Sequence, residues 1–85
     1  MTIAYVLLTT EGGSKREVLN EIQSIPEVKE AYTLYGVYDL LIKIKSDDQV
    51  VLRDRIIRRI RHLDKVRSIL TMIVLPDDVR AREEI

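Results

Sequence analysis

Apolar positions along the chain follow two rhythms, one of period two and one close to 3.6. Ile3, Tyr5 and Leu7 interleave with Ala4, Val6 and Leu8 in a strand-like run over residues 3–9, stopped by Gly12-Gly13. Val18, Leu19, Ile22 and Ile25 then recur at helical spacing, and Pro26 ends that helix. Residues 29–35 read as a second strand. Residues 39–45 read as a third, with Leu40, Ile42 and Ile44 alternating against Leu41, Lys43 and Lys45. Leu52, Ile56, Ile60 and Leu63 mark one face of a second helix, and residues 68–75 form a fourth strand ended by Pro76. Both helices open on a capping-box pattern, Ser14 with Glu17 and Ser46 with Gln49, in which side chain and backbone amide satisfy each other reciprocally. Residues 77–85 are mostly charged and read as a short helical or frayed tail.

The predicted order is β-α-β-β-α-β, and an internal repeat supports it. The stretch Ile22 to Thr33 resembles Ile60 to Thr71 at an offset of 38 residues, each copy covering a helix end, a turn around Val28 or Val66, and a strand start. Two such halves predict an α+β, ferredoxin-like sandwich: a four-stranded antiparallel sheet with both helices on one face. The open face should then alternate towards polar residues. Instead both faces of the first and last strands are apolar, with Ile69 and Ile73 opposite Leu70, Met72 and Val74. A bare apolar sheet face exceeds the patches that monomers tolerate, so this face is expected to pack on a second copy as a two-fold dimer.

Composition sharpens that expectation. A chain of 85 residues buries only about 60% of its unfolded surface and is marginal alone. With no Cys, neither disulfides nor thiol-based metal and redox chemistry are open to it. Fourteen basic residues balance fourteen acidic ones, which argues against general nucleic-acid binding and a polybasic membrane module. No apolar run approaches the ~20 residues of a membrane span, and the first strand begins where a signal peptide would lie, so the expected location is cytoplasmic. The neutral sum hides a separation, because residues 53–67 carry seven cations and two anions, net +5. Arg55, Arg58, Arg59 and His62 make a stripe read as a solvated face paired with Glu17 and Glu21 or with neighbouring copies.

Catalytic chemistry lacks its parts, and no enzyme activity is expected. His62 is the sole imidazole and sits among arginines, where a surface role fits better than a catalytic base. The pairs Asp47-Asp48 and Asp77-Asp78 are adjacent carboxylates that diverge on any regular element, so no metal and no cofactor is expected. Gly12-Gly13 precedes a helix but lacks the Lys and Ser/Thr of a phosphate loop, and the segment 9–13 offers no Arg for a phosphoryl group. The third strand has no aromatic on which RNA bases could stack.

There remains Tyr35-Gly36-Val37-Tyr38-Asp39, between the second and third strands. It is either a plain turn, with Gly36 supplying backbone freedom, or a site for a small zwitterion, with Asp39 facing an ammonium and backbone N–H groups a carboxylate.

This segment, Tyr-Gly-Val-Tyr-Asp-Leu-Leu, together with Ile-Pro-Glu-Val-Lys-Glu-Ala-Tyr at 25–32 and Leu-Asp-Lys-Val-Arg-Ser-Ile-Leu-Thr at 63–71, resembles the effector (RAM) domain of the Lrp/AsnC, or feast/famine, transcription regulators. The resemblance runs over about residues 3–75 and implies a RAM/ACT-like ligand-binding and oligomerisation domain over 1–76, followed by the tail at 77–85. Family regulators also carry an N-terminal helix-turn-helix, so a first strand at residue 3 suggests a stand-alone effector domain without direct DNA binding. The resemblance further implies a sheet-to-sheet homodimer, ring-like higher oligomers, association with full-length regulators, and a free amino acid bound between dimers. The family's effector-responsive positions fall on Gly36, Val37, Tyr38 and Asp39, on Gln49, and on Met72, Ile73 and Val74, with Thr71 as a polar addition. A purely structural oligomerisation domain and an ACT-like metabolite-binding domain are the alternatives.

Overall fold

In the computed structural model, which describes residues 1–75, the period-two runs pair into one antiparallel sheet. β1 (Thr2–Thr10) is central, flanked by β3 (Leu40–Ser46) and β4 (Val66–Ile73), with β2 (Val28–Thr33) beyond β3, giving the order β2-β3-β1-β4. α1 (Lys15–Gln23) connects β1 to β2. The connection from β3 to β4 is a helix over residues 49–61, made of α2 (Gln49–Val51), a π-helical turn (Leu52–Ile57) and α3 (Arg58–Arg61). This is the expected ferredoxin-like α+β arrangement. The tail at 77–85 and the strand-ending role of Pro76 lie outside the described residues.

Ala4, Val6 and Leu8 from β1 and Leu40, Ile42 and Ile44 from β3 are buried under the helices. They join Val18, Ile22, Ile25, Leu52, Ile56, Ile57 and Ile60 in one apolar cluster, so both helices cover the same sheet face. The π turn accounts for adjacent Ile56 and Ile57 both being buried, because i→i+5 bonding turns Ile57 back over Leu52.

The repeat is visible bond by bond. Ile25 N–H donates to Ile22 O at 3.0 Å and Val28 N–H to Ile25 O at 3.0 Å; 38 positions later Leu63 N–H donates to Ile60 O at 3.2 Å and Val66 N–H to Leu63 O at 3.1 Å. Ile22 and Ile60 are both fully buried.

Local expectations needed correction where a backbone bond captured a group. The Ser14–Glu17 box does not form. Ser14 N–H donates to Glu11 O at 3.0 Å in a turn made by Gly13 at φ 80°, so the amide Glu17 would reach is taken. The second cap shifts by two residues: Asp48 accepts from Val50 N–H at 2.7 Å, while Ser46 ends β3 and its hydroxyl folds onto the Asp48 backbone. β2 stops at Thr33 rather than 35, because Leu34 N–H donates to Asp39 O at 2.8 Å and closes the hairpin there. β4 runs from Val66 to Ile73 rather than 68–75, starting early through a bulge opposite Thr9 and Thr10.

The open face splits in character. Ile3, Tyr5, Leu7, Leu41, Leu70 and Met72 line up across β3, β1 and β4, with Leu70 and Met72 each 44% exposed. Towards β2 the same face turns polar, with Lys45 and the pair Lys43–Glu30 at 3.4 Å.

Candidate functional site

The hairpin between β2 and β3 presents Tyr35, Gly36 and Val37 to solvent, with Tyr38 and Asp39 half-buried. Asp39 is tied into the chain. Its N–H donates to Leu8 O at 2.7 Å, and its Oδ2 accepts from Thr10 N–H at 2.7 Å and from the Thr10 hydroxyl at 3.2 Å. Lys15 Nζ lies 3.9 Å from Oδ1 and donates to Leu34 O at 3.0 Å. The carboxylate thus holds the hairpin against the end of β1, and only the Oδ1 side has capacity for a further partner. Gly36 has no positive φ, and a Cβ there would meet nothing within 4 Å. Neither structural reason for a glycine applies at that position.

The other candidates lie elsewhere. Gln49 is exposed at the start of α2. Thr71 and Ile73 point to the helix side of β4, opposite Val6 and Ala4, whereas Met72 pairs with Tyr5 on the open sheet face. Val74 follows the strand, its N–H donating to Ile3 O at 2.8 Å. Within one chain the candidates therefore form separate groups. Leu40, where the hairpin enters β3, is level with Leu8, and Ile73 is level with Ala4. That is four residues along β1 and two strand spacings across, roughly 16 Å at ~3.3 Å per residue and ~4.8 Å per strand. The hairpin tip lies farther still, so no free amino acid spans both groups in a single chain.

Thr71 and Ile73 form one wall of a cleft of about 390 Å³ between β4 and the second helix, within the ~300–1,000 Å³ typical of small-molecule sites. Arg53, Asp54, Ile57, Arg58 and Arg61 form the other wall. The Thr71 Oγ1 is buried without a hydrogen-bond partner, which is uncommon in a native fold. Arg55, Arg58 and Arg59 of the expected stripe are all exposed, as a solvated face requires, and Arg58 also borders the cleft beside Arg53 and Arg61. Asp54, Ile57, Arg58 and Arg61 keep helical spacing along the cleft, and the π turn is what brings Arg53 beside them. Pairing of the stripe with Glu17 and Glu21 is not found among the described residues, where the one ion pair of this helix joins Arg53 to Asp54 at 3.9 Å. His62 is exposed, with Nδ1 2.8 Å from Arg58 O, as a surface residue at a helix end.

On the open face the Tyr32 hydroxyl donates to Glu30 Oε1. That bond, aided by Lys43, holds the Glu30 carboxyl below its ordinary range, and the same bond raises the Tyr32 phenol. Among the described residues no helix is long and apolar enough to cross a membrane, and no three His, Cys, Asp or Glu side chains are grouped to hold a metal ion.

Residues 3–83 match the sequence profile of the Lrp/AsnC ligand binding domain. Among curated relatives, the HTH-type transcriptional regulator FL11 of Pyrococcus furiosus is 29% identical over 73 residues, covering 86% of this chain and 48% of that protein. FL11 of Pyrococcus horikoshii is 30% identical over the same shares. The chain spans about half the length of these regulators. The crystal structure of FFRP-DM1 superposes with a TM-score of 0.84 at 39% identity, covering 88% of this chain and 100% of that one. AsnC of E. coli superposes at 0.74 with 25% identity, covering 96% of this chain and 56% of that one.

Proposed function

Since the chain belongs to the Lrp/AsnC ligand-binding domain family, we propose that it is an effector-binding and oligomerisation module that holds a free amino acid or similar small zwitterion between copies of itself. The observation that carries this reading is the separation of its candidate positions. The hairpin over 36–39, which enters β3 beside Leu8, and the pair Thr71 and Ile73 at the far end of β4 sit at diagonal corners of one sheet, so a ligand touching both needs two chains. Copies pair through the open face around Leu7, Leu70 and Met72, and such dimers assemble further into ring-like oligomers that bring a hairpin of one to the cleft of another. A ligand held by two copies binds the assembled state and not its parts, and that difference shifts assembly. The full-length regulators that the relatives represent are further partners, reached through the same surfaces.

Calorimetric titration with each of the twenty amino acids, run beside analytical ultracentrifugation, tests the reading. At least one is expected to bind and to change the sedimenting mass; no heat and an unchanged mass with all twenty would overturn it. A purely structural oligomerisation domain is the second reading, favoured by the engagement of Asp39 with Thr10 and Lys15, and it predicts that negative outcome.

A further inference from the structure

The cleft between β4 and the second helix is chemically one-sided. Three guanidinium groups, Arg53, Arg58 and Arg61, line it against the single carboxylate of Asp54. Arg53 and Asp54 stand 3.9 Å apart with both side chains 62% exposed, a contact of little strength. No carboxylate of the described residues lies within ion-pair distance of Arg58 or Arg61. Like charges gathered on a concave, partly apolar wall repel each other and focus a positive potential into the cleft. That arrangement is stabilised when an anion enters.

Two further observations are independent of the charge. The Thr71 Oγ1 at the cleft wall is buried with no partner, a standing cost that a ligand oxygen would remove by accepting its proton. The helix winding also adds Arg53 to the pair Arg58 and Arg61. In an ideal α-helix Arg53 and Arg58, five residues apart, would point about 140° away from each other. The π turn over Leu52–Ile57 bonds i→i+5 and brings them to the same wall.

Resting on the amino-acid reading above, we infer that the ligand's side chain is itself anionic: the Arg53–Arg58–Arg61–Thr71 cleft takes the second carboxylate of an acidic amino acid. Planar guanidinium groups suit a carboxylate because they donate in pairs to its two oxygens. The hydroxyl of Thr71 supplies one more donor, and Ile57 and Ile73 supply an apolar wall for the methylenes.

The test is calorimetry on the full chain at low salt with L-glutamate and L-aspartate against their isosteres L-glutamine and L-asparagine, and with L-leucine, L-lysine and inorganic phosphate. An acidic amino acid is expected to bind at least tenfold more tightly than its amide, with an affinity that falls as salt rises. Arg58→Gln should remove most of that tenfold preference. Thr71→Val, which deletes the orphaned hydroxyl while keeping the shape, should weaken glutamate or aspartate several-fold yet leave the melting temperature equal or higher. A merely structural Thr71 would instead lower it. If neutral or basic amino acids bind and acidic ones do not, the anionic-ligand inference is overturned while the amino-acid reading stands. Phosphate binding as tightly as either acidic amino acid would overturn it too, reducing the cleft to a bare oxyanion site. If none of the amino acids binds, both fail together.

Discussion

Asp39, a candidate ligand contact, is also a structural tie. Its Oδ2 receives two donors from Thr10, and its backbone links Leu8 to Leu34. Asp39→Asn keeps the size but weakens charge-assisted bonds, so a loss of about 1–2 kcal/mol is expected, read as a fall of roughly 4–15 °C in a thermal melt. An unchanged melting temperature would show the tie to be idle. Glu30 and Tyr32 give a residue-scale prediction in pH. The Glu30 carboxyl titrates low because Tyr32 and Lys43 favour its ionised form, so its contribution is present above the ordinary carboxylate range and is lost as pH falls through the lowered value. The Tyr32 phenol titrates high, so its contribution holds below the usual phenol range and is lost as pH rises through the raised value. Tyr32→Phe should remove the late-titrating fraction of the ultraviolet phenolate signal and move the Glu30 carboxyl titration, followed by NMR, upwards.

At the scale of elements the two helix starts, alike in sequence, part company in the fold. Asp48 caps the second helix, whereas the Ser14 side chain makes no cap bond. Asp48→Ala should therefore lower stability by about 1 kcal/mol in chemical denaturation, and Ser14→Ala, which removes no cap bond, should cost clearly less. Equal losses at both positions would contradict this assignment. Helix and strand identities were legible because Leu40, Ile42 and Ile44, or Val18, Ile22 and Ile25, repeat at the right period. The π turn was not legible, because Leu52, Ile56 and Ile60 satisfy an α-helical spacing equally well and nothing local signals the wider winding at Ile57.

For the whole molecule the decisive surface is the open sheet face. Leu70 and Met72 each remain 44% exposed beside Tyr5 and Leu7, and burying such side chains yields about 25 cal/mol per Å². The double substitution Leu70→Lys with Met72→Lys should lower the sedimenting mass to that of a single chain, with the far-ultraviolet circular dichroism unchanged. Retention of the parental mass would mean that copies meet elsewhere. Strand alternation separates this face from the cleft side: Met72 belongs to one, and Thr71 and Ile73 to the other. Four consecutive candidate residues were therefore never one local site.

Element order, the ferredoxin-like class and the two-sided apolar character of β1 and β4 follow from residue pattern, because period and repeat are local and need no coordinates. The 38-residue echo of Ile22–Val28 in Ile60–Val66 even carried its turn bonds with it. Tertiary structure alone decided which partners local groups accept. Thr10 takes the Asp39 carboxylate from 29 positions away, and a π turn sets Arg53 on the cleft wall that Arg58 shares with Thr71. Each depends on a group distant in sequence, or on a winding that two helical forms share in pattern and differ in only in space.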